Sequence, residues 1–260
     1  FGNLSKDCIH IEHKKIIKTG GPIFYMAQVF SSFNKKIGIC TKFDKFPGQL
    51  RNQYTDSEGF IKTKPTIIEI FENKKKCYGV VLQYAGQIHF EQIPKKYFKA
   101  RYFIISTIFD DISSKTIQKI KKEYPNIKIC LDIQGYMREK KINSPAKKRR
   151  INLDLLKGLE VVKFNKEEFD IQFKNTKVAI VALFDLGVKM CLVTNGAKSI
   201  KLFMGRNIYE YQPKIIKTDN TVGAGDMLLA CFVHHFCDNL KIKEALKKAI
   251  DYVSQKLDRR

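Results

Sequence analysis

Residues 218–230 read Thr-Asp-Asn-Thr-Val-Gly-Ala-Gly-Asp-Met-Leu-Leu-Ala, a glycine-rich turn followed at once by an apolar helical pattern. Gly223 and Gly225 allow neighbouring backbone N–H groups to converge, and a helix N-terminus adds partial positive charge at the same point. The segment therefore predicts an anion hole. Asp226 lies at its mouth, where it either complements the helix dipole or accepts a proton from a hydroxyl that attacks a bound phosphoryl group.

Upstream of this segment, short apolar runs alternate with amphipathic ones. The pattern predicts strands at 36–41, 102–106, 127–133, 161–164 and 190–194, and helices from 23, at 113–124, at about 225–235 and from 242. Such alternation indicates an α/β protein with a mostly parallel sheet and helices on both faces. A weakly alternating strand at 9–17 and a predicted hairpin within 66–90 stand outside the alternation.

The 218–230 segment resembles the carboxy-terminal signature of the ribokinase-like (PfkB) carbohydrate kinases, Asp-Thr-x-Gly-Ala-Gly-Asp. The match covers Gly223, Ala224, Gly225 and Asp226, with Asn220 where the family commonly has Asp and Val222 where it often has Thr. The resemblance implies that the three-residue turn holds the anion and that Asp226 is the catalytic base. It also implies that the neighbouring Thr221 contacts ATP.

Segments near the N-terminus resemble the family's substrate motifs. Residues 2–7 are similar to the first-strand motif, in which an Asp, here Asp7, accepts hydrogen bonds from two neighbouring substrate hydroxyls. A turn residue is the other interpretation of Asp7. Gly20 and Gly21 match the glycine pair that lets backbone approach the substrate closely. Tyr25, a candidate substrate-binding residue, occupies the usual Asn position of this motif, a departure from the family's standard sugar contact.

Asn165 and Glu168 follow the predicted strand 161–164 and match the family's Asn-x-x-Glu motif, which organises magnesium near the triphosphate. One carboxylate suffices because Mg²⁺ keeps several water ligands. The same spacing also fits a helix N-cap with its capping-box partner. Thr194 and Gly196 resemble the Thr-x-Gly nucleotide segment, whose residues contact the phosphates or ribose of ATP.

Residues 132–138, Asp-Ile-Gln-Gly-Tyr-Met-Arg, resemble the Asp-Pro-Gln-Gly-x-x-Arg segment of some sugar-kinase branches. The resemblance places Gln134 and Arg138 in the substrate site. The Arg138 guanidinium either clamps a phosphate, carboxylate or hydroxyl, or forms a structural salt bridge.

The composition has a large excess of basic residues: 48 Lys and Arg against 26 Asp and Glu, a net charge of +22. This excess is typical of an anionic partner, but the lysines are spread along the chain, which favours compositional drift over nucleic-acid binding. Residues 144–150, Ser-Pro-Ala-Lys-Lys-Arg-Arg, indicate a solvated loop, with nuclear targeting or polyanion docking as alternatives. Seven scattered cysteines predict buried free thiols in a reducing compartment, the cytoplasm, and no apolar run is long enough to span a membrane.

The resemblance extends from Gly2 to about Leu257 and implies one domain, residues 1–260. The expected fold is a ribokinase-like three-layer α/β/α sandwich with a mostly parallel central sheet and a small β lid from about 9–19 and 66–90. The expected function is transfer of the γ-phosphoryl group of ATP, with Mg²⁺, to a hydroxyl of a sugar or cyclic polyol. The alternatives are a nucleoside kinase, a catalytically silent nucleotide-binding protein and, from net charge alone, a polyanion-binding protein. A homodimer through the lid is one expected assembly.

Overall fold

The computed structural model describes residues 1–11, 14–73, 76–216, 218 and 220–259. Its strands are β1 (Ser5–Ile11), β2 (Lys14–Gly20), β3 (Ile37–Phe43), β4 (Thr55–Lys62), β5 (Thr66–Asn73), β6 (Lys76–Gln83), β7 (Tyr102–Ile105), β8 (Lys128–Asp132), β9 (Val161–Asn165), β10 (Met190–Asn195), β11 (Ser199–Met204) and β12 (Asn207–Tyr211). Its α-helices are α1 (Pro22–Ser32), α2 (Ser114–Glu123), α3 (Gln134–Met137), α4 (Lys166–Gln172), α5 (Thr176–Asp185), α6 (Ala224–Cys237) and α7 (Ile242–Asp258).

The central sheet has six strands in the order β12-β11-β10-β9-β8-β7. The four strands from β7 to β10 are parallel, and β11 and β12 are added antiparallel at one edge. The carboxyl ends of β7, β8, β9 and β10 therefore open at the same edge of the sheet, where parallel α/β proteins bind ligands. This confirms the predicted mostly parallel sheet.

Helices cover both faces of this sheet because successive strand residues point to opposite sides. On one face, Val161 and Leu192 belong to a buried cluster with residues of α1, α6 and α7. On the other face, Val162 and Val193 pack with residues of α2, α4 and α5. Adjacent residues of one strand thus belong to two separate cores. The three-layer α/β/α arrangement predicted from the sequence is confirmed.

A second sheet of four strands, in the order β2-β1-β5-β6, forms the small lid. β1 pairs antiparallel with β2 and parallel with β5, and β5 pairs antiparallel with β6. The predicted lid bounds need correction: two strands occupy 5–11 and 14–20 where one was expected at 9–17, and the hairpin strands end at Gln83. Residues 12–13 and 74–75, which fall within these predicted segments, lie outside the described residues. The apolar signal of β1 is weak because two of its buried residues, Ser5 and Asp7, are polar.

Several elements are not among the strands and helices predicted from the sequence. β4 pairs parallel with β3 in a separate two-stranded sheet, the short helices α3 and α4 follow β8 and β9, α5 covers 176–185, and β11 and β12 extend the central sheet. β4 and β12 are polar and half-exposed strands with little hydrophobic pattern. The helix α5 starts at Asn175, whose side chain accepts hydrogen bonds from the N–H groups of Lys177 and Val178, a cap that the apolar run 178–193 obscured.

Two further predictions from the sequence concern membrane-spanning segments and cysteine thiols. In the described part of the chain, no helix is long and apolar enough to cross a membrane. The free thiols are buried at five positions and half-buried at Cys237: the buried ones are Cys8, Cys40, Cys130, Cys191 and Cys231. The side chain of Cys77 lies outside the described residues.

Candidate active site

A cavity of about 990 Å³ lies between the lid and the carboxyl ends of β8, β9 and β10. Its wall brings together thirteen of the residues singled out from the sequence: Asp7, Gly21, Tyr25, Gln134, Arg138, Asn165, Glu168, Thr194, Thr221, Gly223, Ala224, Gly225 and Asp226. These residues come from segments more than 200 positions apart in the chain. Gly20 and Gly196 do not line this cavity. Gly20 instead packs on the Asp7 carboxylate, which a Cβ at this position would overlap.

The glycine-rich turn begins the helix α6 as predicted. Gly223 is the N-cap residue with φ of 80°, a left-handed conformation that disfavours any residue with a Cβ. A Cβ at Gly223 would also overlap the ring of Tyr25, which packs directly against the turn. The N–H of Ala224 donates to the carbonyl of Thr221 at 3.1 Å. The N–H groups that follow in the first turn have no intrahelical acceptor and are available to an anion.

Asp226 lies in the first turn of α6, half-buried at the cavity wall. The hydroxyl of Ser106, just after β7, donates to its Oδ1 at 2.9 Å and holds the carboxylate in place. Burial raises the pKa of Asp226 to about 6, and the negative charge of Asp132 adds to this rise. Lys163, the Ser106 hydrogen bond and Arg138 oppose it. A carboxylate with a pKa near neutrality is matched to proton acceptance.

A buried ion pair that the sequence analysis missed lies beneath the anion hole. Lys163 Nζ is 2.5 Å from Asp132 Oδ2, and the two side chains are 5% and 0% exposed. They come from directly paired positions of β9 and β8. Lys163 was included in a predicted apolar strand with no separate role. Its signal was available, because a lysine between Val162 and Phe164 in a fully buried strand needs an anionic partner.

Asn165 and Glu168 form a capping box at the start of α4. The Asn165 side chain accepts from the Glu168 N–H at 2.8 Å, and Glu168 Oε2 accepts from the Asn165 N–H at 2.9 Å. The helix-cap interpretation is therefore correct, and it leaves the other carboxylate oxygen for a ligand. Glu168 Oε1 is buried at the cavity and accepts no hydrogen bond from the described residues. Burial, together with Asp132, raises the pKa of Glu168.

The lid side of the cavity carries Asp7, which is 2% exposed. The Ser5 hydroxyl donates to Asp7 Oδ1 at 2.5 Å. Burial raises the pKa of Asp7, while this hydrogen bond and Lys18 lower it.

Arg138 lies across the cavity, where its Nη1 donates to the carbonyl of Ile108 at 3.3 Å. No salt bridge of Arg138 within 4 Å is found among the described residues, so the structural salt-bridge alternative is not supported.

A basic loop, residues 139–148, reaches from the central body to the lid. At its base, Glu139 N–H donates to the carbonyl of Lys147 at 2.8 Å; at its tip, Asn143 N–H donates to the carbonyl of Val81 in β6 at 2.9 Å. Lys147 and Lys148 line the cavity. Lys148 Nζ lies 2.5 Å from Glu167 Oε2 and 3.9 Å from Glu168 Oε1. Lys147 is exposed, as the solvated-loop interpretation of 144–150 predicted, whereas Lys148 is half-buried.

Fold and site together define a class of protein: an α/β protein whose lid covers a cavity that holds a carboxylate, Asp226, beside a glycine-rich turn at a helix N-terminus. Residues 60–256 match the model of a family described as pfkB family carbohydrate kinase. Comparison with curated protein sequences finds no match. This chain belongs to the PfkB carbohydrate kinases, phosphotransferases that act on an alcohol acceptor.

Solved structures share the fold over nearly the whole chain. A pyrophosphate-dependent kinase of the ribokinase family, complexed with a pyrophosphate analog and myo-inositol, has a TM-score of 0.85 at 21% identity, over 98% of this chain and 93% of its own. Ribokinase from Thermotoga maritima has a TM-score of 0.75 at 15% identity, over 99% and 90%. Fructokinase from Vibrio cholerae O395, with fructose, ADP and calcium ion, has 0.76 at 16%, over 98% and 91%. At these identities the structures show the ribokinase-like fold alone.

Proposed function

We propose that this chain transfers the terminal phosphoryl group of a phosphoanhydride donor to a hydroxyl of a sugar or cyclic polyol. The observation that carries the proposal is the position of Asp226. Asp226 lies at the start of α6, next to the anion hole, and a hydrogen bond from Ser106 fixes its carboxylate. Asp226 lines the same cavity as Asp7. A base, an anion site and a hydroxyl-binding carboxylate in one cavity are the parts that phosphoryl transfer to an alcohol needs.

In the proposed reaction, Asp226 takes the proton of the acceptor hydroxyl as its oxygen bonds to the donor's terminal phosphorus. The bond from that phosphorus to the bridging oxygen breaks, and the electron pair leaves with the remaining phosphate. The N–H groups in the first turn of α6 stabilise the negative charge on the transferring group. Asp7 accepts hydrogen bonds from neighbouring acceptor hydroxyls and thereby orients the reactive one. The lid excludes water that would compete as acceptor.

The residues around Glu168 fit a magnesium ion. Its buried Oε1 has no hydrogen-bond donor among the described residues, although the capping box satisfies Oε2. Within the described ranges, no group of three or more His, Cys, Asp or Glu forms a protein cage for a metal. A single carboxylate together with donor phosphates and water is the arrangement that Mg²⁺ commonly takes. Bound there, the ion would neutralise charge on the donor phosphates.

Three observations favour pyrophosphate over ATP as the donor. Lys147 and Lys148 add positive charge to the cavity wall, with Lys148 beside Glu168, where a compact phosphate donor would lie. Gly196, expected to contact ATP, does not line the cavity. A kinase with the same fold, at a TM-score of 0.85, is named as pyrophosphate-dependent. The family resemblance implies ATP as the donor, and this stays a prediction. The experiment therefore compares the two donors directly.

The test is a screen of the purified chain with Mg²⁺ and either pyrophosphate or ATP, with products followed by ³¹P NMR. The acceptors are myo-inositol, fructose, ribose, 2-keto-3-deoxygluconate, adenosine and cytidine. We expect a phosphomonoester from a sugar or cyclic polyol, formed faster with pyrophosphate. Product from adenosine or cytidine alone would support the nucleoside-kinase alternative. Donor binding without turnover of any acceptor would support the catalytically silent alternative.

Asp226→Asn tests the base in the same assay. The amide keeps the size of the side chain but cannot accept the hydroxyl proton, so we expect kcat to fall by at least ~100-fold. Donor affinity, measured by calorimetry, should stay within about threefold because the anion hole is formed by backbone N–H groups. Near-normal turnover of this variant would remove Asp226 from the mechanism.

A further inference from the structure

Lys163 is an ionised side chain in the middle of the central sheet. It lies in β9 and is 4% exposed, between two apolar neighbours that are fully buried. Lysine is almost never fully buried unless it is paired, because moving an ammonium out of water costs several kcal/mol. A Val or Ile at this position would avoid that cost, so the buried charge points to a role that an apolar side chain could not fill.

The partner of Lys163 is held from two sides. Asp132 ends the neighbouring strand β8, and its Oδ2 lies 2.5 Å from Lys163 Nζ. Its second oxygen, Oδ1, accepts the backbone N–H of Gln134 at 3.1 Å. Asp132 is 0% exposed. The carboxylate therefore cannot turn away without breaking a backbone contact, and it anchors the ammonium at one point.

That point is directly beneath the anion hole. A Cβ built on Gly225 would lie 2.8 Å from Lys163 Nζ, so the ammonium packs against the first turn of α6, one residue before Asp226. Gly225 is thus required because any side chain there would collide with the ammonium. Burial alone would lower the pKa of Lys163, but the charges of Asp132, Asp226 and Glu168 outweigh burial and leave it raised. Lys163 is therefore positively charged at neutral pH.

We propose that Lys163, held in place by Asp132, is a positioning residue that keeps Asp226 ionised, and hence active as a base, at neutral pH. The inference rests on the proposed function, since it gives Asp226 the role of base. Lys163 acts through Asp226 rather than on the substrate. In the sequence, Lys163 stands two positions before Asn165 of the Asn-x-x-Glu motif. Its partner in the neighbouring strand, Asp132, stands two positions before Gln134.

The sign of each effect follows from the charges around Asp226. Asp132 at the end of β8 favours the protonated form of Asp226, whereas Lys163 in β9, Arg138 after α3 and the Ser106 hydroxyl favour the ionised form. Glu168 of α4 lines the same cavity. With a pKa of about 6, Asp226 is mostly ionised at neutral pH. An opposite charge within a few ångströms shifts a carboxyl pKa by roughly 1–3 units, enough to reverse that balance.

The experiment measures the titration of Asp226 itself. Carboxyl resonances of ¹³C-labelled aspartate are followed against pH in the substrate-free protein, and Asp226→Asn assigns the resonance. We expect Lys163→Met to raise the Asp226 midpoint by roughly 1 unit or more and Asp132→Asn to lower it. The double variant Asp132→Asn/Lys163→Met loses both charges and should return toward the wild-type midpoint. The acid limb of kcat/KM should move in the same order.

Matched variants separate this role from a merely structural one. Lys163→Arg keeps the charge and should keep the wild-type midpoint. Lys128→Met removes a lysine from the opposite end of β8, where it pairs with Glu160, and should leave the midpoint unchanged. If Lys163→Met does not fold, Asp132→Asn and the double variant still decide the question, because they differ only in the Lys163 charge and the midpoint should be lower in Asp132→Asn. An Asp226 midpoint that is the same in all these variants would overturn the inference, whereas wild-type protein without kinase activity would count only against the proposed function.

Discussion

At the scale of single residues, two side chains pack so closely against the first turn of α6 that they restrict which residues the turn can contain. Gly223 meets the ring of Tyr25 on one side and adopts φ of 80°. Gly225 meets the ammonium of Lys163 on the other side. The turn is therefore enclosed between an aromatic ring and a buried charge, and both glycines are needed because neither side leaves space for a methyl group.

Gly223→Ala is expected to damage the anion hole. The alanine must either adopt the left-handed conformation, which costs roughly 1–2 kcal/mol, or turn its N–H groups away from the donor. Its Cβ would also displace Tyr25. We expect kcat/KM to fall by about 100-fold, the lower range for loss of an anion-hole contact. Steady-state kinetics and far-UV circular dichroism measure activity and folding separately.

A second variant distinguishes the two causes. Gly223→Ala/Tyr25→Ala removes the ring that the new methyl group would overlap, so only the conformational cost remains. Partial recovery relative to Gly223→Ala, measured against Tyr25→Ala alone, is the expected result. Full activity of Gly223→Ala would show that the turn tolerates a side chain and that the close approach of Tyr25 is unimportant.

At the scale of elements, the sequence predicted those whose pattern is local and strong. The parallel strands β8, β9 and β10 are short apolar runs, and their ends carry Asp132, Asn165 and Thr194 at one edge of the sheet, as expected. What could not be predicted depends on pairing across the chain. The partner of Lys163 is such a case, because Asp132 lies 31 residues away in the chain.

The path of the basic loop, like the pairing of Lys163, could not be predicted from local sequence. The composition of residues 144–150 indicated solvent exposure, and Lys147 is indeed exposed. The path of the loop is set by backbone hydrogen bonds to Lys147 at the base and to Val81 of the lid at the tip. Those bonds turn Lys148 toward Glu167 and Glu168, a placement that no local pattern encodes.

Lys148→Met is expected to weaken donor binding more than catalysis. The variant removes one positive charge from the donor side of the cavity but leaves Asp226 and the anion hole in place. We expect the KM for pyrophosphate to rise about tenfold, with kcat changed by less than about threefold, as for loss of a contact made equally in ground and transition states. Initial rates over a range of pyrophosphate concentrations give both constants.

Lys140→Met is the matched control because it removes the same charge from the same loop outside the cavity wall. Lys140 packs over the ring of Tyr84 and lies 3.4 Å from Asp110. Equal effects of the two substitutions on KM would mean that general electrostatic attraction, rather than contact by Lys148, determines donor affinity.

At the scale of the whole molecule, two charge distributions coexist. The cavity holds carboxylates and cations in close pairs, so its local balance is nearly even, while the net charge of +22 comes from lysines spread over the surface. Surface ion pairs such as Lys201–Glu210 contribute little to stability because water and salt screen them. The surplus positive charge therefore acts mainly as self-repulsion of the folded chain, and at most weakly attracts the anionic donor.

Salt is accordingly expected to stabilise the fold. Raising NaCl from about 0.02 M to about 0.3 M shortens the Debye length below about 10 Å and screens repulsion among surface lysines, so the thermal midpoint of unfolding should rise by several degrees. Differential scanning calorimetry measures it. Reversing three exposed lysines, Lys177, Lys189 and Lys247, to Glu should raise the midpoint at low salt and flatten its salt dependence. A midpoint that falls with NaCl, or a triple variant with the wild-type slope, would mean that local ion pairs rather than net charge control stability.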